Sequence, residues 1–166
     1  MKKLLLILLA VPFFSFSQYS DRVLEIKKMY KETKSYEKKG DCKTISWEEI
    51  DEDDEYGRSF EREVTKCIYP DNYSRISLSF SLWESWLDGE YYFKNDNLYF
   101  VYLFDDWGNS IDKWRIYFKE NGEIEKILVD YGDGNTKVND RGEIEIIKQN
   151  EIRWLNIALK ELNKRK

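Results

Sequence analysis

The chain has 166 residues, of which 42% are hydrophobic and 36% are charged, enough apolar material for one core and one domain. It has no histidine and two cysteines, which excludes histidine-dependent triads, histidine-ligated zinc and four-thiolate metal sites. Its net charge of -5 argues against nucleic-acid binding, because nucleic-acid binders normally carry a basic excess.

The N-terminus is organised like a bacterial secretory signal peptide. Two lysines precede an apolar run of 11 residues, Leu4 to Phe14, which is shorter than the roughly 20 residues of a membrane-spanning helix. Ser15 and Ser17 supply the small residues that signal peptidase requires. We therefore expect residues 1–17 to be removed, and residues 18–166 to be exported to the periplasm or beyond the cell without membrane insertion.

The first segment of the mature chain is predicted to be a helix over residues 21–38 that covers a sheet. Its apolar stripe at helical spacing consists of Val23, Ile26 and Tyr30. Ser20 or Asp21 can cap its start, and Gly40 can end it.

From residue 42 to residue 129 the apolar period changes to two, which predicts antiparallel strands with one solvated face. The clearest case is the segment 75–82, in which apolar residues alternate with serines. The predicted strands are 42–50, 59–69, 73–82, 90–94, 98–104, 112–119 and 123–129.

Short turn sequences join several of these strands. The tight turns are centred on residues 70–72, 95–97 and 121–122, which are rich in Asp, Asn, Pro and Gly. Two of the hairpins, with the sequences YYFK-NDN-L and IYFK-ENG-EI, resemble those of uncharacterised bacterial secreted or periplasmic α+β proteins. The resemblance covers residues 90–160, and it implies a fold and a compartment but no activity.

The C-terminal segment returns to helical spacing. Asp140 followed by Glu143 resembles a capping box, and the chain ends on three basic residues, as suits a helix C-terminus. Residues 143–147 could instead form an eighth strand, with the helix starting at Asn150, but we favour one helix. The predicted fold is therefore α+β: an N-terminal helix, a curved antiparallel meander of about seven strands and a C-terminal helix.

The two cysteines predict a disulfide, because an exported protein folds in an oxidising compartment. Cys42 and Cys67 lie on the first two predicted strands, and placing them opposite each other fixes the register of that hairpin. The pairs that follow are Ile45 with Val64, Trp47 with Arg62 and Ile50 with Ser59. The bond then lies on the opposite face from the pair Ile45–Val64, where it is covered only if a helix packs there.

An acidic run occupies residues 48–55, in which seven of eight residues are Asp or Glu. Such a run is a solvated loop, a docking site for a basic partner or a calcium site, and we favour the solvated loop. The loop 130–135 is also rich in oxygen ligands, but neither segment has a recognisable calcium spacing. We therefore expect no metal and no cofactor, and the sequence offers no catalytic motif.

Alternate loops of a meander share one end of the sheet, and the longer loops at 51–58, 83–89 and 105–111, with the 130–140 segment, are predicted to do so. Aromatic faces there can stack on sugars or anchor a protein partner, although such tryptophans more often close the mouth of a core. The partner- or ligand-binding candidates at this end are Asp53, Asp54, Trp83, Trp86, Asp105, Asp106 and Trp107.

These features favour an exported, non-enzymatic binding module whose partner is a protein with a basic surface. Inhibition of a toxin, or immunity against one, is a concrete form of this function, since an acidic protein gains association rate towards a basic partner. The alternative is a carbohydrate-binding protein or a carboxylate-dependent hydrolase that uses the tryptophans. The oligomeric state is open at this point.

The cleavage site can be tested by mass. We expect the exported protein to begin at Gln18, with or without cyclisation of that residue, because Ser15 and Ser17 fit the signal-peptidase site. Intact-mass measurement of the exported fraction checks this, and a chain that still begins at Met1 there would contradict it.

Overall fold

The computed structural model describes residues 20–50, 59–82, 85–106, 111–130, 135–137 and 141–164. They form one antiparallel sheet with a helix packed on each face, which confirms the predicted α+β architecture. Within these ranges, no helix has both the length and the apolar character needed to cross a membrane.

The strands are hydrogen-bonded in chain order, so the sheet is a simple meander. The helices are α1 (Asp21–Ser35) and α2 (Arg141–Lys164). The strands are β1 (Asp41–Ile50), β2 (Ser59–Ile68), β3 (Tyr73–Leu82), β4 (Ser85–Lys94), β5 (Asn97–Asp106), β6 (Ile111–Phe118), β7 (Ile124–Asp130) and β8 (Asn135–Lys137). All seven predicted strands are present, and the structure adds a short eighth strand, β8, of three residues.

Helix α1 begins as predicted but ends early. The Ser20 hydroxyl accepts a hydrogen bond from the Val23 backbone N–H at 3.3 Å, which caps the first turn. The helix ends at Ser35, and a 3-10 turn follows, so the predicted end at residue 38 is wrong. Gly40 does not cap the helix, because its backbone is extended at φ -75°. A Cβ at this position would clash with the Tyr69 ring, so a glycine is needed for their close approach.

The C-terminal segment is a single helix, α2, from residue 141 onwards, so the alternative strand at residues 143–147 is wrong. The predicted turn between β4 and β5 is confirmed: Asn95 and Asp96 both have positive φ, at 50° and 62°. Two consecutive residues of this kind form the type I′ turn, whose twist matches that of the flanking strands.

The sheet has an apolar core on each face, and alternate residues of each strand contribute to opposite cores. The α2 side includes Val64, Ile76, Leu78, Phe80, Tyr91, Val101, Leu103, Ile116, Phe118, Ile127, Val129, Ala158 and Leu162. The α1 side includes Val23, Ile26, Met29, Cys67, Tyr69, Tyr73, Tyr92, Tyr99, Phe100, Tyr117 and Leu128. The α1 side is therefore unusually rich in tyrosine, so buried hydroxyl groups need partners there.

Those hydroxyl groups bind helix α1 to the sheet. The Tyr73 hydroxyl donates to Glu32 at 2.6 Å, and the Tyr99 hydroxyl lies 2.8 Å from the Thr33 hydroxyl. Thr33 is itself buried and donates to the Met29 carbonyl. Because a buried polar group without a partner is destabilising, these bonds fix where α1 sits on the sheet as well as holding it there.

The predicted disulfide and its register are both confirmed. Cys42 is bonded to Cys67, and the two residues are opposed across β1 and β2. The three further predicted pairs are Ile45–Val64, Trp47–Arg62 and Ile50–Ser59, and all are present. Cys67 is 1% exposed and packs in the α1 core, so a helix does cover this side of the bond.

Removing the bond should destabilise the fold. The disulfide links residues 25 apart, and closing a loop of that size is worth about 3 kcal/mol in the chain-entropy model. We expect the double variant Cys42→Ala, Cys67→Ala to lose stability of that order in denaturant unfolding. Reduction of the wild type should give a matching loss, and a midpoint unchanged by reductant would contradict the expectation.

The tyrosine core should make the protein sensitive to alkali. Burial raises the pKa of Tyr92, reinforced by its hydrogen bond to Glu90, and burial likewise raises the pKa of Tyr73 and Tyr99. These pKa values in the folded protein exceed the value of about 10 in the unfolded chain. The contribution of each phenol to the free energy of unfolding is therefore fully present below pH 10. Above pH 10 each phenol loses up to about 1.4 kcal/mol of that contribution per pH unit.

Unfolding curves measured as the pH rises above 10 test this, with phenolate absorbance followed in parallel. We expect these phenols to ionise only as the protein unfolds. In the variant Tyr92→Phe the free energy of unfolding should fall less steeply with pH, because one of the three phenols is gone. If it falls equally steeply in wild type and variant, Tyr92 ionises normally in the folded protein.

Candidate functional site

The strand ends that carry the predicted candidates meet at one end of the sheet. This follows from the meander order, in which each strand runs antiparallel to the next. The ends concerned are Ile50 and Ser59, Leu82 and Ser85, Asp106 and Ile111, and Asp130 and Asn135. The shared end that the sequence predicted is therefore present in the strands themselves.

The structure brings two of the predicted site residues together. Trp86 on β4 is directly opposed to Asp106 on β5. Asp105 precedes Asp106 and pairs instead with Leu87 and Asp112, so it occupies a different register position. The other candidates, Asp53, Asp54, Trp83 and Trp107, lie outside the described residues.

The predicted long loop at 83–89 is wrong. Strand β4 begins at Ser85, which pairs directly with Leu82, so Trp86 belongs to the sheet. The Trp86 side chain is 48% exposed and therefore does not close the mouth of a core. It offers a large apolar surface on the same face of the sheet as α1, beyond the part that α1 covers.

We call this uncovered surface the open face. Its residues lie side by side on neighbouring strands. On each strand they are two or more positions closer to the shared strand ends than the residues that pack under α1. Glu63 is opposed to Ser79, Ser79 to Asp88, and Asp88 to Phe104. Two adjoining cavities of about 490 and 470 Å³ share Glu63 and Ser79 and form one groove. The open face comprises Ser46, Glu48, Glu61, Glu63, Ser77, Ser79, Trp86, Asp88, Glu90, Tyr102 and Phe104.

Carboxylates dominate the part of the open face formed by β1 to β4. Glu48, Glu61 and Glu63 are exposed, and none of the three forms an ion pair with a residue in the described ranges. Glu48 is directly opposed to Glu61 across β1 and β2. Like charges in directly opposed positions destabilise a sheet, so this arrangement opposes folding unless a cation approaches it.

A set of ion pairs marks the boundary between the open face and α1. Arg75 contacts Glu90 at 3.1 Å and Glu37 at 2.9 Å, and Lys34 contacts Glu37 at 2.6 Å. Burial lowers the pKa of Lys34, but the hydrogen bond to Glu37 and the charge of Glu90 outweigh it, so the net pKa is raised. The Tyr92 hydroxyl also donates to Glu90 at 2.6 Å. The Glu90 carboxylate is thus held in place at the end of the groove.

Aromatic side chains divide the open face by charge. Tyr102 and Phe104, both half-buried, lie between the carboxylates of β1 to β4 and two basic residues of β6. Phe104 is opposed to Lys113, and Tyr102 is opposed to Arg115. The face is therefore acidic on one side of the aromatic strip, whereas on the other side the basic residues of β6 are accompanied by Asp130 of β7, which is opposed to Lys113.

The chemistry available to this surface is recognition of charge and of apolar area. In the described part of the chain, no group of three or more Asp, Glu, His or Cys side chains could hold a metal ion. The acidic run at residues 51–55 lies outside the described residues, so the calcium question there stays a prediction. Separate carboxylates beside aromatic rings suit the ammonium and guanidinium groups of Lys and Arg side chains.

The open-face residues lie in strands, whereas the sequence pattern predicts the site in loops. Glu61, Glu63 and Asp88 lie within strands, where alternating acidic residues look like an ordinary solvated face. The alternation of Glu61 and Glu63 around Arg62 was a usable signal that both acids share a face. What the pattern could not supply was which half of that face α1 leaves uncovered.

Comparison of the chain with protein-family models, with curated proteins and with solved structures finds no match to any of the three. The resemblance of the two hairpins to secreted α+β proteins therefore stays a prediction.

The opposed carboxylates give a direct test of the site geometry. Replacing Glu61 by Gln removes the repulsion with Glu48, so we expect the variant to be more stable than wild type at low salt, by roughly 0.2–1 kcal/mol. The gain should shrink as salt is added, because screening already weakens the repulsion in the wild type. Denaturant unfolding at two salt concentrations measures it. The variant Asp96→Asn is the control, since Asp96 is exposed in the turn between β4 and β5, at the other end of the sheet.

Proposed function

We propose that the protein is an exported, non-enzymatic binding module that docks a basic protein on its open face. The single observation that carries the proposal is the set of carboxylates on β1 to β4 that have no ion-pair partner in the described residues. Within this set, the opposed pair Glu48 and Glu61 gives the strongest support, because two like charges repel each other in the isolated protein and would both be attracted by a cationic surface.

The charge of the chain supports the same kind of partner. The net charge is -5 overall, and becomes -7 if residues 1–17 are removed. Long-range attraction of this sign raises the rate of encounter with a basic protein and disfavours acidic competitors. Arg and Lys side chains of such a partner would find carboxylates on one side of the groove and aromatic rings on the other.

Trp86 is suited to be the central contact of the interface. It combines 48% exposure with a fixed position in β4, and it lies beside the groove that contains Glu61 and Glu63. Exposed tryptophans held by rigid elements are frequent hot spots, because they bury a large area at small entropic loss. The basic residues of β6, beyond Tyr102 and Phe104, would fix the orientation of the partner.

Export is part of the proposal. The Cys42–Cys67 disulfide is typical of proteins outside the reducing cytosol. The charged and apolar pattern of residues 1–17 supports the same location. An inhibitor of a basic toxin, or an immunity protein against one, has this combination of export, acidity and recognition without catalysis.

The experiment compares two variants that lose the same charge. In the first, Glu61→Gln, Glu63→Gln and Asp88→Asn remove three carboxylates from the open face. In the second, Asp96→Asn, Glu120→Gln and Glu145→Gln remove three exposed carboxylates elsewhere. Binding is measured to immobilised Lys/Arg-rich peptides, with Asp/Glu-rich peptides as the negative probe, over a range of salt concentrations.

We expect the wild type and the second variant to bind the basic peptides with a strong salt dependence, and the first variant to lose most of that binding. Each open-face carboxylate lost should weaken association mainly through a slower rate of encounter. Equal losses in the two variants would show that overall charge alone attracts the peptides, which would contradict a specific site.

A second candidate function, carbohydrate binding, is favoured by one observation. Trp86 presents an exposed ring directly opposite Asp106, and an aromatic face beside a carboxylate suits a sugar ring and its hydroxyl groups. Here Trp86→Ala should abolish glycan binding, whereas the triple change at Glu61, Glu63 and Asp88 should leave it largely intact. Glycan arrays probed with both variants separate the two functions.

A further inference from the structure

Strand β1 is an unusually regular edge of the sheet. It runs for ten residues with an unbroken register to β2, and within the described part of the chain it pairs with β2 alone. The opposite edge, β8, has three residues. Proteins normally protect their edges with short strands, bulges, proline or charged side chains. Strand β1 has no bulge and no proline, and its protection rests on its charges, Asp41, Lys43, Glu48 and Glu49.

We propose that β1 pairs antiparallel with β1 of a second copy of the chain. The proposal is independent of the partner on the open face, because it concerns the edge of the sheet and not its surface. A pairing of this kind is isologous, so it closes into a dimer and does not continue into a filament.

The sequence of β1 is self-complementary in one particular register, the one that places Ser46 opposite Ser46 of the copy. Lys43 is then opposed to Glu49, and Ile45 is opposed to Trp47, each twice by symmetry. Opposite charges and aromatic–aliphatic pairs are the combinations that stabilise antiparallel strands. Ile45 and Trp47 are half-buried at the rim of the α2-side core, so this pairing would extend that core across the dimer.

The neighbouring registers lack this match. Shifting the pairing so that Ile45 faces itself places Asp41 opposite Glu49, which are like charges, and Lys43 opposite Trp47. A shift by an odd number of positions would oppose side chains from different faces of the sheet and is therefore not available.

The charges that flank β1 select the antiparallel direction. Lys38 and Lys39 precede the strand, whereas Glu48 and Glu49 lie at its end. An antiparallel copy brings the basic start of one strand beside the acidic end of the other, and a parallel copy would bring like charges together. Lys66, which is opposed to Lys43 on β2, adds to the basic side.

The first measurement is the mass of the exported protein by sedimentation or light scattering over a series of concentrations. A single strand pair is a small interface, so we expect the average mass to rise from one chain towards two with concentration. Added salt should weaken the dimer, because its register depends on charge pairs.

Variants then locate the interface. Ser46→Lys places like charges directly opposite each other in the dimer, and Ser46 is exposed in the single chain, so we expect folding to be preserved and dimerisation to weaken about fivefold. Gln149→Lys adds the same charge at an exposed residue of α2, outside β1, and should dimerise as the wild type does. Matching melting temperatures for the two variants establish that any difference is not caused by unfolding.

Cross-linking tests the register itself. Ser46→Cys should form a disulfide between the copies under oxidising conditions, because directly opposed Cα atoms are about 4.5–5.5 Å apart. Thr44→Cys is the matched control, since in this register Thr44 faces Glu48 and cannot meet itself. A protein that stays at one chain at every concentration, a dimer that Ser46→Lys does not weaken, or cross-linking through Thr44→Cys would each overturn the proposal.

Discussion

A sheet of eight strands presents two faces that are far wider than one helix, and the described part of the chain has one helix on each face. Strands spaced by about 4.8 Å give a width of roughly 34 Å, whereas a helix with its side chains is about 10–12 Å across. The 24-residue α2 is roughly 36 Å long and can extend over much of its face, but the 15-residue α1 is only about 22 Å long. Helix α1 therefore leaves part of its side of the sheet uncovered, and the proposed binding function depends on the residues there.

The tyrosine layer decides which part that is. Apolar burial alone would let α1 slide along the sheet, because hydrophobic attraction has no preferred direction. The hydrogen bonds from Tyr73 to Glu32 and from Tyr99 to Thr33 can form in only one position of α1. In any other position, a buried polar atom would lose its partner. The ion pairs of Arg75 then separate the covered half from the open face. The same contacts that stabilise the helix thus define the border of the groove.

Local patterns and one covalent constraint were sufficient to predict most of the sheet. Setting Cys42 opposite Cys67 fixed the register of the first hairpin, since a one-residue slip would move Ile45 out of its core. The beginning of β4 was missed because Asp88 and Gly89 are poor strand formers, and their place in the sheet comes from pairing with β3 and β5 on both sides. The open face was missed for a different reason, because it depends on where a helix stops along a sheet, which is a property of tertiary packing.

The two proposed interfaces are geometrically compatible. In an antiparallel pairing of β1 strands with an even register, each residue and its counterpart point to the same side of the joined sheet. The open faces of the two copies would then lie side by side, with Glu48 and Glu61 of each copy near the symmetry axis. A basic partner with two exposed patches could engage both faces at once, and the second contact would form at high effective concentration. Dimerisation through β1 would therefore strengthen binding at the open face without any change in the face itself.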